Sequence, residues 1–148
     1  MMKNQEKYNV IKEMVSEGLP ILTDLGYKLE KIQINKNSAR EHEVLTFENN
    51  KLSIEINFYP GNDKKNETDL FSVYINSGEK YMSCLLYLKH HELLQDKNYF
   101  NLNAYEGVFE NKITDFLNFL NFVFHEYMQS ILKGEKWEDI PTYWGGYR

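Results

Sequence analysis

The spacing of apolar residues changes twice along the chain, and this change constrains the fold more than any other feature. Over residues 4–25 apolar residues recur every three or four positions, which is typical of an amphipathic helix. Over residues 28–88 they mostly alternate with polar residues, and over residues 110–133 the helical spacing returns. This order predicts an α+β fold, with a largely antiparallel sheet of about five strands packed against a long C-terminal helix and an N-terminal helix.

Glycine and proline mark the expected ends of the two helices. Gly18 and Pro20 should split the first helix, and Gly26 should follow its end. The last helix should run over residues 110–133 and stop at Gly134. Its predicted core stripe is broad and comprises Ile113, Phe116, Leu117, Leu120, Phe124, Tyr127 and Ile131, widened by Phe119, Phe122 and Val123.

The alternating region predicts five strands, over residues 28–35, 44–48, 51–59, 70–76 and 81–88. Asparagine tolerates positive φ, so Asn49 and Asn50 predict a two-residue hairpin turn. That turn would pair Phe47 with Leu52 and Leu45 with Ile54. The run at residues 85–88 is apolar on both faces, which indicates a fifth strand that is central or covered twice.

Composition excludes several classes of protein. With 148 residues, 42% of them hydrophobic and 26% charged, the chain resembles a single globular domain, not a disordered one. Its net charge of −5 argues against nucleic acid as the main partner. One cysteine excludes an internal disulfide and a cysteine-built zinc site. No secretory signal or membrane-spanning segment is evident, so we expect a cytoplasmic protein with no membrane partner.

Few residues could take part in catalysis or metal binding, and no catalytic motif is present. Side chains at His90 and His91 point in different directions on a strand or a helix, so a metal site would need ligands from elsewhere, such as His125 or Glu126. Cys84 lies among apolar residues, which favours a buried, inert thiol in the fifth strand. We therefore predict no catalytic residue, no metal and no cofactor.

Two features indicate a protein partner instead. Residues 41–60 hold four glutamates and one lysine, and Glu48 and Glu55 are expected on the sheet face opposite Leu52 and Ile54, where they would form an acidic docking surface. The tail, residues 136–148, is rich in aromatic residues, which are frequent at interaction hot spots. It either folds back or contacts a partner, and its candidate contact residues are Trp137, Tyr143, Trp144 and Tyr147.

The order of an N-terminal helix ending in LGYKL, a meander of strands, and a long aromatic helix (FLNFLNFVFHEY) resembles small acidic immunity proteins of bacterial polymorphic-toxin systems. The resemblance covers residues 4–133 and carries over no individual functional residue. It implies a non-enzymatic inhibitor that plugs the active site of a toxin, and the charge of −5 would suit a basic toxin domain. Two alternatives remain open: a homo-oligomeric structural or regulatory protein that uses the aromatic tail, and a small-molecule binder or enzyme with an unfamiliar site.

Overall fold

A computed structural model describes residues 2–94 and 96–141 of the chain, and its N-terminal helix is split as predicted. Helix α1 spans Asn4–Gly18 and helix α2 spans Pro20–Asp24. Proline is favourable at the first position of α2 because the amide that it lacks would have no partner within the helix. Gly26 follows α2 with φ of +85°, a conformation that glycine adopts without steric cost.

Five antiparallel strands form one sheet in the order β1-β2-β3-β4-β5, so each strand pairs with its neighbour in the chain. Strand β1 has the predicted bounds, and β1 and β5 form the two edges. This sheet, with a helix before it and helices after it, confirms the predicted α+β architecture. The strand bounds are Lys28–Asn35 for β1, His42–Glu48 for β2, Ser53–Tyr59 for β3, Leu70–Ser77 for β4 and Lys80–Ser83 for β5.

The predicted register of the β2–β3 hairpin is wrong by two residues. Phe47 lies opposite Ile54, not Leu52, and the turn contains residues 49–52. The Oδ1 atom of Asn49 accepts hydrogen bonds from the amides of Lys51 and Leu52, both at 2.8 Å, and so stabilises a longer turn. A shift of two residues leaves each side chain on the face predicted for it, because the strand period is two.

The fifth strand is also shorter than predicted, and it is an edge strand. Strand β5 ends at Ser83, whose Oγ accepts a hydrogen bond from the amide of Leu86 and caps helix α3 (Cys84–His90). The apolar run therefore continues as a helix that buries Cys84, Tyr87 and Leu88 at helical spacing.

The C-terminal helix breaks once before its predicted end. Helix α4 spans Phe109–Glu126, and helix α5 spans Gln129–Leu132, followed by Gly134 at φ of +74°. At the break, the hydroxyl of Tyr87 donates to the carbonyl of Tyr127 at 3.1 Å. Met128, which lies at this break, is buried, whereas Phe122, predicted to widen the core stripe, is 53% exposed.

The core lies between one face of the sheet and the helices. We call this the inner face, and its apolar residues belong to one buried cluster with residues of all five helices. Phe71 of β4 stacks on Phe116 of α4 with ring centroids 4.1 Å apart. Helix α1 packs beside α4, where Asn121 donates to the carbonyl of Gly18 at 2.7 Å. The inner face comprises Phe47, Leu45, Ile54, Ile56, Phe58, Phe71, Val73, Ile75 and Met82.

Candidate functional site

The opposite face of the sheet, here called the outer face, carries the first candidate site. Alternation along β3 places Ser53, Glu55, Asn57 and Tyr59 on this face. None of the outer-face residues of the described chain belongs to the buried core cluster that holds the helices. On this face His42, Val44 and Asn57 are buried, and the other described outward side chains are half-buried or exposed.

Both glutamates predicted as partner contacts lie on the outer face. Glu55 is opposite Thr46 on β2, and Glu48 is opposite Ser53 on β3, so the two carboxylates belong to diagonally adjacent pairs. Their surroundings differ. Glu48 is exposed and lies opposite Lys28 of β1, whereas Glu55 is half-buried and accepts a hydrogen bond from Asn57 at 3.3 Å.

Three tyrosines near Glu55 extend the site beyond the residues predicted from sequence. Tyr74 lies directly opposite Glu55 in the β3–β4 register, and its ring meets that of Tyr81 edge-on at a centroid distance of 6.1 Å. Burial raises the pKa of Tyr74, and the hydroxyls of Tyr59 and Tyr81 and the carboxylate of Glu55 act on Tyr74 in the same direction. The alternation of Tyr74 with Phe71, Val73 and Ile75 already indicated its face.

Charge is distributed unevenly over the outer face. The part formed by β1 and β2 carries Lys28 and Lys31 as well as Glu48. On β3, β4 and β5, the described outward positions carry a single charged side chain, Glu55, among tyrosine, serine and asparagine residues. Tyrosine with small polar residues is a composition typical of binding surfaces, because it offers contact area at low entropic cost. These outward residues are Ser53, Asn57, Tyr59, Leu70, Ser72, Tyr74, Asn76, Tyr81 and Ser83.

The other two glutamates of residues 41–60 do not add to this surface. Glu41 accepts a hydrogen bond from the hydroxyl of Tyr8 on α1 at 2.7 Å. Glu43 lies on the inner face, opposite Phe58, and is only 3% exposed. The net negative charge of this segment is therefore divided between the two sides of the sheet.

The beginning of the aromatic tail lies against the folded chain. Trp137 is half-buried and packs on the core, and Ile140 is buried. Glu138 lies 2.7 Å from Nε2 of His91 on the segment after α3. The remaining candidate tail residues, Tyr143, Trp144 and Tyr147, are outside the described residues.

The three histidines considered as metal ligands, His90, His91 and His125, form two separate groups. His90 and His91 both approach Oε2 of Glu138, at 4.0 Å and 2.7 Å from their Nε2 atoms. His125 instead contacts its neighbour Glu126, at 3.3 Å, with both side chains more than half exposed. Within residues 2–94 and 96–141, no set of three histidine, cysteine, aspartate or glutamate residues has the arrangement needed to hold a metal ion.

Cys84 is a fully buried free thiol, although it begins helix α3 and does not lie in a strand as predicted. Burial raises the pKa of this thiol, which disfavours the nucleophilic thiolate. Its Sγ atom lies 3.7 Å from the sulfur of Met128. The side chain therefore packs as a small apolar group.

A cleft of about 490 Å³ lies beside the loop that joins β3 to β4. Arg40 fixes this loop by donating to the carbonyls of Tyr59, Pro60 and Thr68. Asp69 accepts from the amide of Gly61 and from the ammonium of Lys7, at 2.6 and 2.9 Å. Because these charged groups already bind the loop to itself and to α1, their arrangement indicates a structural role.

Comparisons with protein-family models, with curated proteins and with solved structures each found no match to this chain. No helix among the described residues is long and apolar enough to cross a membrane.

Proposed function

We propose that this chain is a protein-binding domain that docks a basic partner on its outer face, in the manner of an immunity-type inhibitor of a bacterial toxin. The observation that carries the proposal is the position of Glu55, the single charged side chain at the described outward positions of β3–β5, among Tyr59, Tyr74 and Tyr81. A lysine or arginine of the partner would meet a carboxylate and aromatic rings together. The proposed location is the cytoplasm, whose reducing conditions suit a free thiol.

The sheet supports such a role mechanically. Strands β2, β3 and β4 are paired on both sides, and their inner residues are buried, so the outer side chains are held on a rigid platform. A preorganised surface loses less entropy on binding than a flexible loop does. Glu48, opposite Lys28 and exposed, should contribute to the rim of the contact instead of its centre.

Replacing Glu55 with lysine should weaken binding of the partner by about 30-fold or more, because it places like charges at the centre of the contact. Glu48→Lys should have a smaller effect, mainly on the association rate. The partner is first captured with the wild-type chain and identified by mass spectrometry, and its affinity for each variant is then measured by calorimetry.

A matched control is Glu126→Lys, which reverses an exposed carboxylate on α4. It should bind like the wild-type chain, and circular dichroism should show that all three variants are folded. If Glu55→Lys and Glu126→Lys bind equally well, the outer face is not the docking surface. Loss of the partner's enzymatic activity in the wild-type complex would support the inhibitor role, and retained activity would restrict the proposal to binding alone.

A second candidate function, self-association, is favoured by an exposed aromatic pair on the helical side. Phe122 is 53% exposed, Tyr127 is 37% exposed, and their rings meet edge-on at 5.7 Å. If this pair joins two copies, sedimentation should detect a dimer that Phe122→Asp dissociates and that Glu55→Lys leaves intact. A monomer at all concentrations tested would exclude this function.

A further inference from the structure

A groove between α1 and β1 lies apart from the outer face and has a cavity volume of about 360 Å³. Gln5, Asn9 and Lys12 line it from α1, and Ile32 and Ile34 line it from the edge strand. Ile32 is 37% exposed, although it faces the same side of the sheet as the buried Leu45. The groove is thus a place where the helices leave inner-face apolar surface uncovered.

Glu43 is the unusual member of this groove. The residue is 3% exposed, lies opposite Ile34 in the β1–β2 register, and contributes to the groove lining. Its Oε1 atom has no hydrogen-bond partner in the described structure. Buried polar atoms are nearly always paired, because an unpaired one loses its hydrogen bonds to water without any replacement. An unpaired carboxylate oxygen on a buried residue that lines a groove therefore points to a ligand that donates a hydrogen bond.

We propose that the α1–β1 groove binds a primary alkylammonium group, whose ammonium donates to Oε1 of Glu43 while its alkyl chain packs on Ile32 and Ile34. An ammonium ion gives the strong, charge-assisted hydrogen bond that a buried carboxylate lacks. The two isoleucines provide the apolar contact that an alkyl stem requires and a bare ammonium ion does not. The group is supplied either by a free amine or by a lysine side chain, and the site does not depend on the proposed function.

The position of Lys12 leads to a test that distinguishes a competing charge from a ligand-binding residue. Its side chain is exposed, and its positive charge acts on Glu43 from α1. Lys12 is therefore a competitor for the same carboxylate, not a second anchor for the ligand. Removing its charge should strengthen binding of an alkylammonium ion, whereas removing a true ligand-binding residue would weaken it.

The test is an NMR titration of the full chain with n-pentylamine at pH 8, with n-pentanol as a neutral probe of similar shape. Chemical-shift changes caused by the amine should concentrate at residues of the groove. The alcohol should bind with an affinity about tenfold lower. Glu43→Gln should weaken amine binding by about tenfold, and Lys12→Met should strengthen it by a few fold. Glu126→Gln, which changes an exposed carboxylate on α4, is the matched control and should leave the affinity unchanged.

Acidity provides a further check. Burial raises the pKa of the Glu43 carboxyl to about 7, and the charge of Lys12 opposes this effect. Tyr8 of α1 also interacts electrostatically with Glu43, and its hydroxyl donates a hydrogen bond to Glu41. Binding of n-pentylamine should therefore strengthen between pH 6 and pH 8.

Three results would overturn the proposal: equal binding of the amine and the alcohol, unchanged affinity in Glu43→Gln, or weaker binding in Lys12→Met. Nα-acetyl-lysine amide distinguishes the two sources of the group. If it binds as n-pentylamine does, the groove accepts a lysine side chain, and if only the free amine binds, the groove takes small amines. Spectra of the unliganded variants establish that each one is folded.

Discussion

Phe116→Ala is expected to lower the free energy of unfolding by about 3–5 kcal/mol, because it removes a large buried ring and leaves a cavity. Phe116 is fully buried and stacks on Phe71, with ring planes 8° apart. Phe100 meets the same ring edge-on at 5.8 Å. This ring therefore joins helix α4 to strand β4 and to the segment after α3. Urea denaturation followed by circular dichroism measures the loss.

Phe122→Ala is the matched control, since it makes the same change on the same helix at a position 53% exposed. We expect it to cost less than about 1 kcal/mol, because the ring is already half exposed and meets the ring of Tyr127 only edge-on. Equal costs for the two variants would contradict the packing of α4 described above. The comparison also separates two phenylalanines that the apolar spacing assigned to one core stripe.

Glu43→Gln is expected to stabilise the chain above pH 7 by up to about 3 kcal/mol and to have little effect near pH 4. Burial raises the pKa of Glu43 from 4.5 to about 7 in the folded state. The folded chain thus holds this proton more tightly than the unfolded chain does. Ionisation of Glu43 therefore costs stability progressively as pH rises from about 4.5 to about 7, and the cost is constant above that range.

The measurement is the difference in unfolding free energy between Glu43→Gln and the wild-type chain at several pH values, so that other titrating groups cancel. Glu48→Gln, which changes an exposed carboxylate on the same strand, is the matched control. A difference for Glu43→Gln that does not vary between pH 4 and pH 8 would show that Glu43 is not held in a desolvated environment. Addition of an alkylammonium ion at pH 8 should offset part of the wild-type cost if the groove binds it.

Periodicity in the sequence predicted the order of elements, the bounds of β1 and the buried face of β3, because each depends on apolar residues recurring locally. The periodicity gave the wrong element where a short apolar run fits both the helix period and the strand period. Residues 85–88 satisfy a buried strand and a short helix equally, and the cap at Ser83 decides for the helix. The register of the β2–β3 hairpin failed for a related reason, since side-chain hydrogen bonds of Asn49 select a longer turn without changing any face.

The candidate site divides in the same way. The alternation of apolar and polar residues alone placed Glu48 and Glu55 on the outer face, because the face of a strand residue follows from the local sequence. Their surroundings depend on which strand lies next to which, so only the paired sheet places Tyr74 and Tyr81 near Glu55 and Lys28 opposite Glu48.

By itself, the sequence determined the fold class and the face on which most strand residues lie, because apolar burial follows from spacing along the chain. Only the tertiary structure decided that Glu43 is a buried carboxylate, although Glu41, Glu43, Glu48 and Glu55 carry the same formal charge. The physical reason is that desolvation depends on what packs around a group. For Glu43, the neighbours include α1, β1 and Phe58 of β3, which meet it only in the folded molecule.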